Sequence, residues 1–274
     1  MDLALVLLLL VIITALVFEF INGFHDTANS IATVVATKVL TPSQAVLLAA
    51  VTNLVGALTG TAVAKTIASG LVDTDVVQVT SVVLICALAG GIVWNLITWW
   101  RGLPSSSSHA LIGGLCGAAI AASDNNFHSL LWSQYGETWT KNSGLLWKVV
   151  IPMVTSPLAG FLLGMLLMAL LMAGISSMNS AGGWMARISR PRWVNAFFGK
   201  AQILSAGFMG FAHGTNDAQK TMGIVALAVF GAQASGTLDG LPAWLGFLHP
   251  SKPDGGIDTW IIVTCALVMA AGTA

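Results

Sequence analysis

The sequence has very little charge. Only 8% of its 274 residues are Asp, Glu, Lys or Arg, whereas 56% are hydrophobic and the mean hydropathy is +0.84. A soluble domain normally carries about a quarter charged residues, so a globular protein with an ordinary water-exposed surface is excluded. The formal net charge is zero, which argues against nucleic acid as a partner. The composition predicts an all-α, polytopic protein of the lipid bilayer.

Cysteines and catalytic motifs are also scarce. The three cysteines, Cys86, Cys116 and Cys265, stand alone in apolar runs, at spacings that match neither a zinc site nor a disulfide framework. We therefore interpret them as buried small hydrophobic residues. The sequence contains neither an HExxH motif nor a Gly-x-Ser-x-Gly motif, which makes an intramembrane hydrolase a poor alternative. We expect no enzyme and no bound cofactor.

Long apolar runs predict the membrane helices, because a span needs roughly twenty apolar residues. One run is short, one is interrupted by polar residues, and the first continues into the polar stretch NGFHDTANS. Short or broken apolar segments in matching places of two halves indicate the binding site of a transporter. The candidate spans are Leu3–Asn22, Ser43–Ala64, Val76–Trp99, Leu111–Ala122, Trp147–Ala173, Ile203–Phe211 with Ala218–Ala232, and Trp260–Ala274.

Two polar segments repeat each other. Residues 20–26, FINGFHD, align with residues 211–217, FAHGTND, at an offset of 217 − 26 = 191 residues, and their Phe, Gly and Asp coincide. An odd number of spans between the copies would invert the second one, so we predict inverted repeats that meet at one site. Gly23 and Gly214 predict broken helices, since glycine leaves helical geometry without a steric penalty. A helix that restarts near each Asp would offer free N–H groups to an anion.

The first copy is expected to place its polar side chains on one face of the restarted helix. Asn29 and Ser30 follow Asp26 by three and four residues, and His25 precedes it. An ionisable residue at membrane depth is costly, so we interpret Asp26 as functional. The alternative is an ordinary helix N-cap. For His25 we weigh proton handling against a simple hydrogen bond to a backbone carbonyl.

The second copy repeats this spacing. Lys220 and Thr221 follow Asp217 by three and four residues, and Asn216 precedes it. An N-cap role is again the alternative for Asp217, although two matching copies favour a paired site. His213 is the second candidate for proton handling, with the same structural alternative as the first histidine.

A run of serines forms a third polar segment, GLPSSSSHALIGG. Pro104 prevents a helix from passing through it, and the apolar run after His109 predicts a helix that starts among the serines. Hydroxyl groups at a helix N-terminus can hold an anion. The alternative is a plain N-cap with a water-exposed turn. Because the apolar run is too short to cross a bilayer, we predict that the serines form a re-entrant element.

These motifs resemble those of the inorganic phosphate transporter (PiT) family, which carries a Gly-x-Asn-Asp-x-x-Asn signature in each half. Gly23–Asn29 matches it with His for the first Asn, and Gly214–Lys220 matches it with Lys for the last Asn. Gly102–His109 fits the family's Gly-Leu-Pro-x-Ser-(Thr/Ser)-(Thr/Ser)-His motif at every position. Both departures resemble the bacterial low-affinity branch, which couples to protons and carries metal–phosphate complexes.

The resemblance implies a role for each motif. Asn53 stands where some relatives have a functional acid, and its lack of charge argues against that role here. Which residues would bind a metal is left open, and a divalent metal is expected as cargo carried together with phosphate. The residues implied at the central substrate and ion site are Asp26, Asn29, Asn216 and Asp217, and those implied to hold phosphate are Ser106 and Ser107.

The resemblance also implies an order of domains. Residues 1–175 would form the first transport repeat with its re-entrant serine segment, and 201–274 the start of the second repeat. Between them, 176–200 is rich in arginine and is predicted to be a cytoplasmic loop by the positive-inside rule. The family's second Pro-x-Ser-(Thr/Ser)-(Thr/Ser)-His motif does not follow the second signature, so we expect a C-terminally truncated chain.

The function implied is secondary active transport of inorganic phosphate, alone or as a metal–phosphate complex, across the bacterial cytoplasmic (inner) membrane. Alternating access around the paired site would couple phosphate to protons. Two alternatives stay open, namely a sodium-coupled phosphate symporter and a carrier of another oxyanion such as sulfate. A homo-oligomer is also compatible with the sequence.

Overall fold

The computed structural model describes residues 2–60, 72, 76–136, 138, 142–251 and 256–274. Short 3-10 turns at Phe127–Ser129 and Ala243–Leu248 and a π-helical turn at Leu146–Val150 accompany the long helices. The predicted all-α class is confirmed. The α-helices of the described ranges are α1 (Leu3–Ala36), α2 (Pro42–Leu58), α3 (Ser81–Arg101), α4 (Ser107–Ala122), α5 (Ile151–Ala181), α6 (Gly183–Ile188), α7 (Pro191–Ala234) and α8 (Thr259–Thr273).

Three helical segments of the described chain are long and apolar enough to cross a membrane: Leu3–Ala36, Ser81–Arg101 and Leu146–Ala181. The third joins the π-helical turn to α5. Shorter apolar helices are α2, α4 and α8. The predicted polytopic membrane protein is therefore confirmed. Several boundaries differ from the sequence prediction, because α1 continues well beyond Asn22 and α2 ends at Leu58. Residues 61–64 of the second predicted span lie outside the described ranges.

The two helices that carry the repeated motif, α1 and α7, run in opposite directions. Thr221 near one end of the contact touches Glu19. In the middle, Nε2 of His213 lies 3.9 Å from Oδ2 of Asp26. At the other end, Oγ1 of Thr37 donates to Oε1 of Gln202 over 2.8 Å. Residue numbers rise along one helix as they fall along the other, which is the relation that an inverted repeat requires.

The predicted breaks at Gly23 and Gly214 are wrong, because both residues lie inside continuous helices. The two glycines serve close packing instead. A Cβ on Gly23 would collide with the carbonyl oxygen of Met269, and a Cβ on Gly214 would collide with the carbonyl oxygen of Asn53. Small residues at helix interfaces let backbones approach closely in membrane proteins. Each motif helix therefore crosses a neighbour at its glycine without leaving helical geometry.

At the same two crossings, the helices that face α1 and α7 also carry a glycine each. Gly272 on α8 faces the carbonyl oxygen of Phe20, and Gly56 on α2 faces that of Phe211. Thus α1 packs on α8, the helix that follows α7, and α7 packs on α2, the helix that follows α1. The Phe-x-x-Gly spacing noticed in the sequence marks these two crossings.

The serine segment separates two helices, as Pro104 predicts. Gly102 ends α3 in a left-handed conformation with φ 62°, and α4 begins at Ser107. Ser106 is the N-cap of α4, and its Oγ accepts a hydrogen bond from the backbone N–H of His109. The chain packs α4 against α3, and Ser107 at the start of α4 reaches the crossing of α1 and α7.

The segment predicted as a basic loop, 176–200, is largely helical, which corrects the loop assignment. It contains the end of α5, all of α6 and the start of α7. The long helix α5 is predominantly apolar, contains no charged residue and has no buried residue in the described structure. Among the cysteines Cys265 is buried and Cys116 partly buried, whereas Cys86 is exposed on α3, so burial was wrongly expected for that residue.

Candidate functional site

The site lies where α1 crosses α7 beside the start of α4. Asp26 on α1 is 9% exposed and Asp217 on α7 is partly buried. His213 stands between them, with Nε2 3.4 Å from Oδ2 of Asp217 and 3.9 Å from Oδ2 of Asp26. The antiparallel packing of the two motif helices thus brings the repeated aspartates to one place. The two polar segments that repeat each other in the sequence therefore lie side by side in the structure.

The orientation of His213 follows from its neighbours on α2 and α8. Oγ1 of Thr273 donates to the carbonyl oxygen of Met269 over 3.0 Å and accepts from Nδ2 of Asn53 over 3.0 Å. The amide oxygen of Asn53 therefore faces Nδ1 of His213, 3.1 Å away. Since an amide oxygen only accepts, Nδ1 carries a proton, and in the neutral form of the imidazole Nε2 presents its lone pair to the two aspartates.

This arrangement can hold a cation. The ligand atoms of Asp26, His213 and Asp217 all lie within 4.8 Å of one another. Nε2 of His213 is buried and has no hydrogen-bond partner within the described residues. An imidazole nitrogen with two carboxylate oxygens suits a divalent metal, and Asn53 would act as the second-sphere partner that fixes the tautomer.

On the α1 side, Asp26 is tied to two further elements. Ser107 at the start of α4 hydrogen-bonds to Oδ2 of Asp26 and lies 2.6 Å from Oδ1 of Asn22. Nδ1 of His25 lies 2.9 Å from Oδ1 of Asp26, and its Nε2 lies 3.0 Å from Oγ1 of Thr98 on α3. His25 therefore contacts the carboxylate, and the alternative of a bond to a backbone carbonyl is wrong for this histidine.

On the α7 side, Asp217 is tied to a lysine and a serine. Nζ of Lys220 contacts Oδ1 of Asp217 and also the hydroxyl of Ser108. Ser108 in turn lies 3.3 Å from the same carboxylate oxygen. The start of α4 therefore bridges the two halves, with Ser107 on the first aspartate and Ser108 on the second.

A third carboxyl group lies nearby and was missed by the sequence reasoning. Glu19 on α1 is fully buried, and its Oε2 accepts a hydrogen bond from the buried hydroxyl of Thr221. Its Oε1 has no hydrogen-bond partner in the described part of the chain. An acid inside the apolar run LVFEFI is itself a signal, because such a residue is costly at membrane depth.

The predicted site residues separate into two groups. His25, Asp26, Ser107, His213, Asp217 and Lys220 meet in the cluster, and Thr221 reaches it through Glu19. The others lie elsewhere: Asn29 and Asn216 are exposed, Ser30 donates to the backbone carbonyl of Thr27 over 2.9 Å, and Ser106 caps α4. The residues that the prediction missed are Glu19, Asn22 and Ser108.

The fixed charges of the site do not balance. Among the described residues, Asp26 and Asp217 share the cluster with one ammonium group, that of Lys220, so ionised aspartates and neutral histidines leave 2 − 1 = 1 formal negative charge. Uncompensated charge is expensive away from water. The site is therefore built to take up positive charge, as protons or as metal cations.

Comparison with known proteins identifies the family. A profile of the phosphate transporter family matches residues 22–274. Over 273 residues the chain is 42% identical to the probable low-affinity inorganic phosphate transporter of Bacillus subtilis, covering 100% of this chain and 70% of that protein. The protein of the same name from Mycobacterium tuberculosis H37Rv is 43% identical over 277 residues, covering 100% of this chain and 56% of that protein.

More distant matches agree. Low-affinity inorganic phosphate transporter PitB of Escherichia coli is 32% identical over 249 residues, which are 84% of this chain and 47% of PitB. The chain therefore spans only about half the length of several of these relatives. A solved structure named the sodium-dependent phosphate transporter has the same fold, with a TM-score of 0.72, 21% identity, and coverage of 97% of this chain and 74% of that one. The chain belongs to the phosphate transporter family.

Proposed function

We propose that this protein is a secondary active transporter of inorganic phosphate and that the Asp26–His213–Asp217 cluster binds the cation that accompanies the anion. The observation that carries this proposal is the cluster itself, with the start of α4 directly beside it. Phosphate cannot approach two carboxylates without positive charge between them. A cation in the cluster removes this repulsion, so anion and cation bind together and move together.

The phosphate group is expected at the start of α4. The first backbone N–H groups of a helix point at a ligand in front of it, and the helix dipole favours negative charge there. The hydroxyl groups of Ser107 and Ser108 donate to the two aspartates, and a cation on these carboxylates would release them to donate to phosphate. The ammonium of Lys220, which touches Ser108, supplies a positive charge at the same place.

The cation is proposed to travel as cargo, in a complex of a divalent metal with phosphate. Two carboxylate oxygens and one imidazole nitrogen are provided by the cluster, and phosphate oxygens would complete the coordination. Proton coupling is proposed because His25 and His213 both lie against the carboxylates, and histidine changes its charge near neutral pH. Protonation would thus compete with the metal for the same negative charge.

Alternating access is the proposed mode of movement in the bacterial cytoplasmic membrane. The cluster lies between the motif helices of two inverted repeats, so a shift of one repeat relative to the other would expose it to either side. A sodium-coupled phosphate symporter is the second candidate, since the solved structure of the same fold carries sodium dependence in its name. Sulfate needs hydrogen-bond donors similar to those that bind phosphate, so it is tested as a competing substrate.

The experiment is uptake of labelled phosphate into proteoliposomes under an imposed proton or sodium gradient, with and without magnesium. We expect a proton gradient and magnesium together to give the largest accumulation. A sodium gradient acting alone would favour the second candidate. Sulfate that competes fully with phosphate would overturn the substrate assignment, and wild-type-like uptake in both Asp26→Asn and Asp217→Asn would overturn the site.

A further inference from the structure

The two repeats differ in charge at the position three residues after their aspartates. At the offset of 191 residues, Asn29 after Asp26 corresponds to Lys220 after Asp217. Asn29 is exposed. Lys220 instead turns into the site, where its side chain is 20% exposed and its ammonium group contacts Oδ1 of Asp217 and the hydroxyl of Ser108.

The contacts of Lys220 are those of a bound cation. Its ammonium group has three hydrogens, of which the carboxylate and the serine take two, and the third is available to an oxygen of the anion. Oδ1 of Asp217 faces this ammonium, whereas Oδ2 faces Nε2 of His213. In the second repeat, one carboxylate oxygen of Asp217 is thus paired with a positive charge that belongs to the protein. The other carboxylate oxygen faces His213 and the cluster.

In the part of the chain that the structure describes, the aspartate of the first repeat has no lysine or arginine beside it. Among the described residues the partners of Asp26 are Ser107, His25 and, at 3.9 Å, Nε2 of His213, and none of them is a lysine or an arginine. In this arrangement the charge that neutralises the carboxylate is taken up from solution, as a proton held by a histidine or as a bound cation. The repeats share their backbone crossing but obtain positive charge from different sources.

We propose that Lys220 is a tethered cation that replaces a free monovalent ion in the second repeat, and that it makes sodium unnecessary for phosphate binding. This inference rests on the proposed function, because it assigns the origin of one of the positive charges that accompany phosphate. The ordinary reading of the same contact is a stabilising i,i+3 ion pair on a helix. The two readings differ in whether added sodium can replace the lysine.

The test compares Lys220→Asn, which copies the first repeat, with Lys200→Asn on the same helix, where the lysine is exposed. Labelled phosphate uptake is measured in proteoliposomes with choline, sodium or lithium as the external cation, at a fixed proton gradient. We expect wild type and Lys200→Asn to be indifferent to this exchange. Lys220→Asn should lose about tenfold or more of its uptake in choline, the effect of removing a charge-assisted contact, and recover with sodium or lithium.

A second measurement does not depend on transport. Saturable binding of radioactive sodium to purified Lys220→Asn, absent from wild type, is expected at a stoichiometry of about one, since the variant removes one charge. Lys220→Met, which keeps the length of the side chain without offering an oxygen ligand, should lose uptake in choline and gain neither sodium rescue nor sodium binding. This variant serves as the reference for loss of charge alone.

Each outcome decides the inference. Unchanged uptake of Lys220→Asn in choline would overturn it, and so would a loss that neither sodium nor lithium restores while the protein is present in normal amounts. Sodium binding by wild type would also overturn it and would leave phosphate transport intact as a function. If wild type moves no phosphate, the proposed function fails, whereas the sodium-binding comparison still decides the role of Lys220.

Discussion

The motif helices α1 and α7 share a backbone arrangement and differ in chemistry. Both carry Phe-x-x-Gly at a tight crossing and an aspartate three residues further on. At four other equivalent positions the side chains differ in type: α1 has Glu19, Asn22, His25 and Asn29 where α7 has Gly210, His213, Asn216 and Lys220. Negative charge comes mainly from α1, and the lysine comes from α7. Packing thus imposes symmetry on the backbone while the site itself needs unlike halves.

The partner helices extend the same contrast. At the crossing of α7 with α2 the close contact is with Asn53, whereas at the crossing of α1 with α8 it is with Met269. Asn53 orients the imidazole of His213 through its amide oxygen. Methionine has no donor or acceptor of comparable strength, so only one crossing can set a tautomer. A sequence repeat therefore predicts where two helices cross more reliably than it predicts which ligand the crossing binds.

The largest expected effect comes from replacing the aspartate that both repeats contain. Asp26→Asn and Asp217→Asn should each lower phosphate uptake more than about 100-fold, since even second-sphere partners of a metal commonly account for about 10–100-fold. Either change removes a negative charge that would attract the cation. The measurement is labelled phosphate uptake, normalised to the amount of protein in the membrane.

Asp124→Asn is the matched control for these two variants. Asp124 is exposed, lies outside the site and has φ 53°, a conformation that asparagine also adopts readily. Its uptake should equal that of wild type. If one aspartate variant retains normal uptake, the paired site reduces to a single functional aspartate and the two repeats are unequal even in this residue.

The second prediction tests the symmetry of packing. Gly23→Ala and Gly214→Ala should each destabilise the protein by about 1–3 kcal/mol, the usual cost of overpacking. In both cases the added Cβ meets a backbone carbonyl oxygen, which cannot turn away as a side chain can. Thermal unfolding of the purified variants in detergent measures the effect. Gly160→Ala on α5, where nothing lies within 4 Å of the added atom, is the control.

Unequal losses in the two glycine variants would show that the crossings are not equivalent in energy. If neither variant changes the unfolding temperature, the helices separate easily and the close approach contributes little. The result also tests how the two halves move. If a crossing tolerates alanine, its two helices are not held in close contact and can slide past each other during transport.

How much of this site could be predicted from the sequence depends on the helix breaks. If a helix starts at each aspartate, the residues that follow the aspartate are predicted to line the site, and Asn29 is one of them. In the continuous helix the face toward α7 and the start of α4 is instead formed by Glu19, Asn22 and Asp26, which are spaced i, i+3 and i+7. The sequence contains this spacing, and it would have revealed the buried glutamate.

The repeated glycines could not decide between a break and a crossing. Glycine serves both purposes, and only the neighbouring carbonyl oxygens, which belong to distant parts of the chain, distinguish them. The serine run was correctly placed at the start of a helix. Which serine faces the site depends on the rotation of α4, so Ser108 was overlooked and Ser106, the cap, was chosen.

The third prediction concerns the tautomer. Asn53→Leu should weaken binding of a divalent metal such as Mn2+ by about 10–100-fold, because the loss of a second-sphere partner leaves the imidazole of His213 free to place its proton on Nε2. Met269→Leu, the equivalent change at the other crossing, should have less than about a threefold effect, as a volume-conserving apolar exchange. Calorimetric titration of the purified proteins with Mn2+ measures both. Equal affinities in the two variants would contradict the assigned role of Asn53.

The smallest expected effect distinguishes two neighbouring serines. Ser106→Ala should lower the free energy of unfolding by about 0.5–2 kcal/mol, the usual cost of losing an N-cap, and leave the KM for phosphate nearly unchanged. Ser107→Ala should do the reverse, raising the KM about fivefold through the loss of one hydrogen bond. Thermal unfolding and phosphate uptake on the same preparations give both quantities. If Ser106→Ala were the variant with the higher KM, the capping hydroxyl of Ser106 would be the one that contacts phosphate. The two repeats would then be connected through Ser106 and not through Ser107.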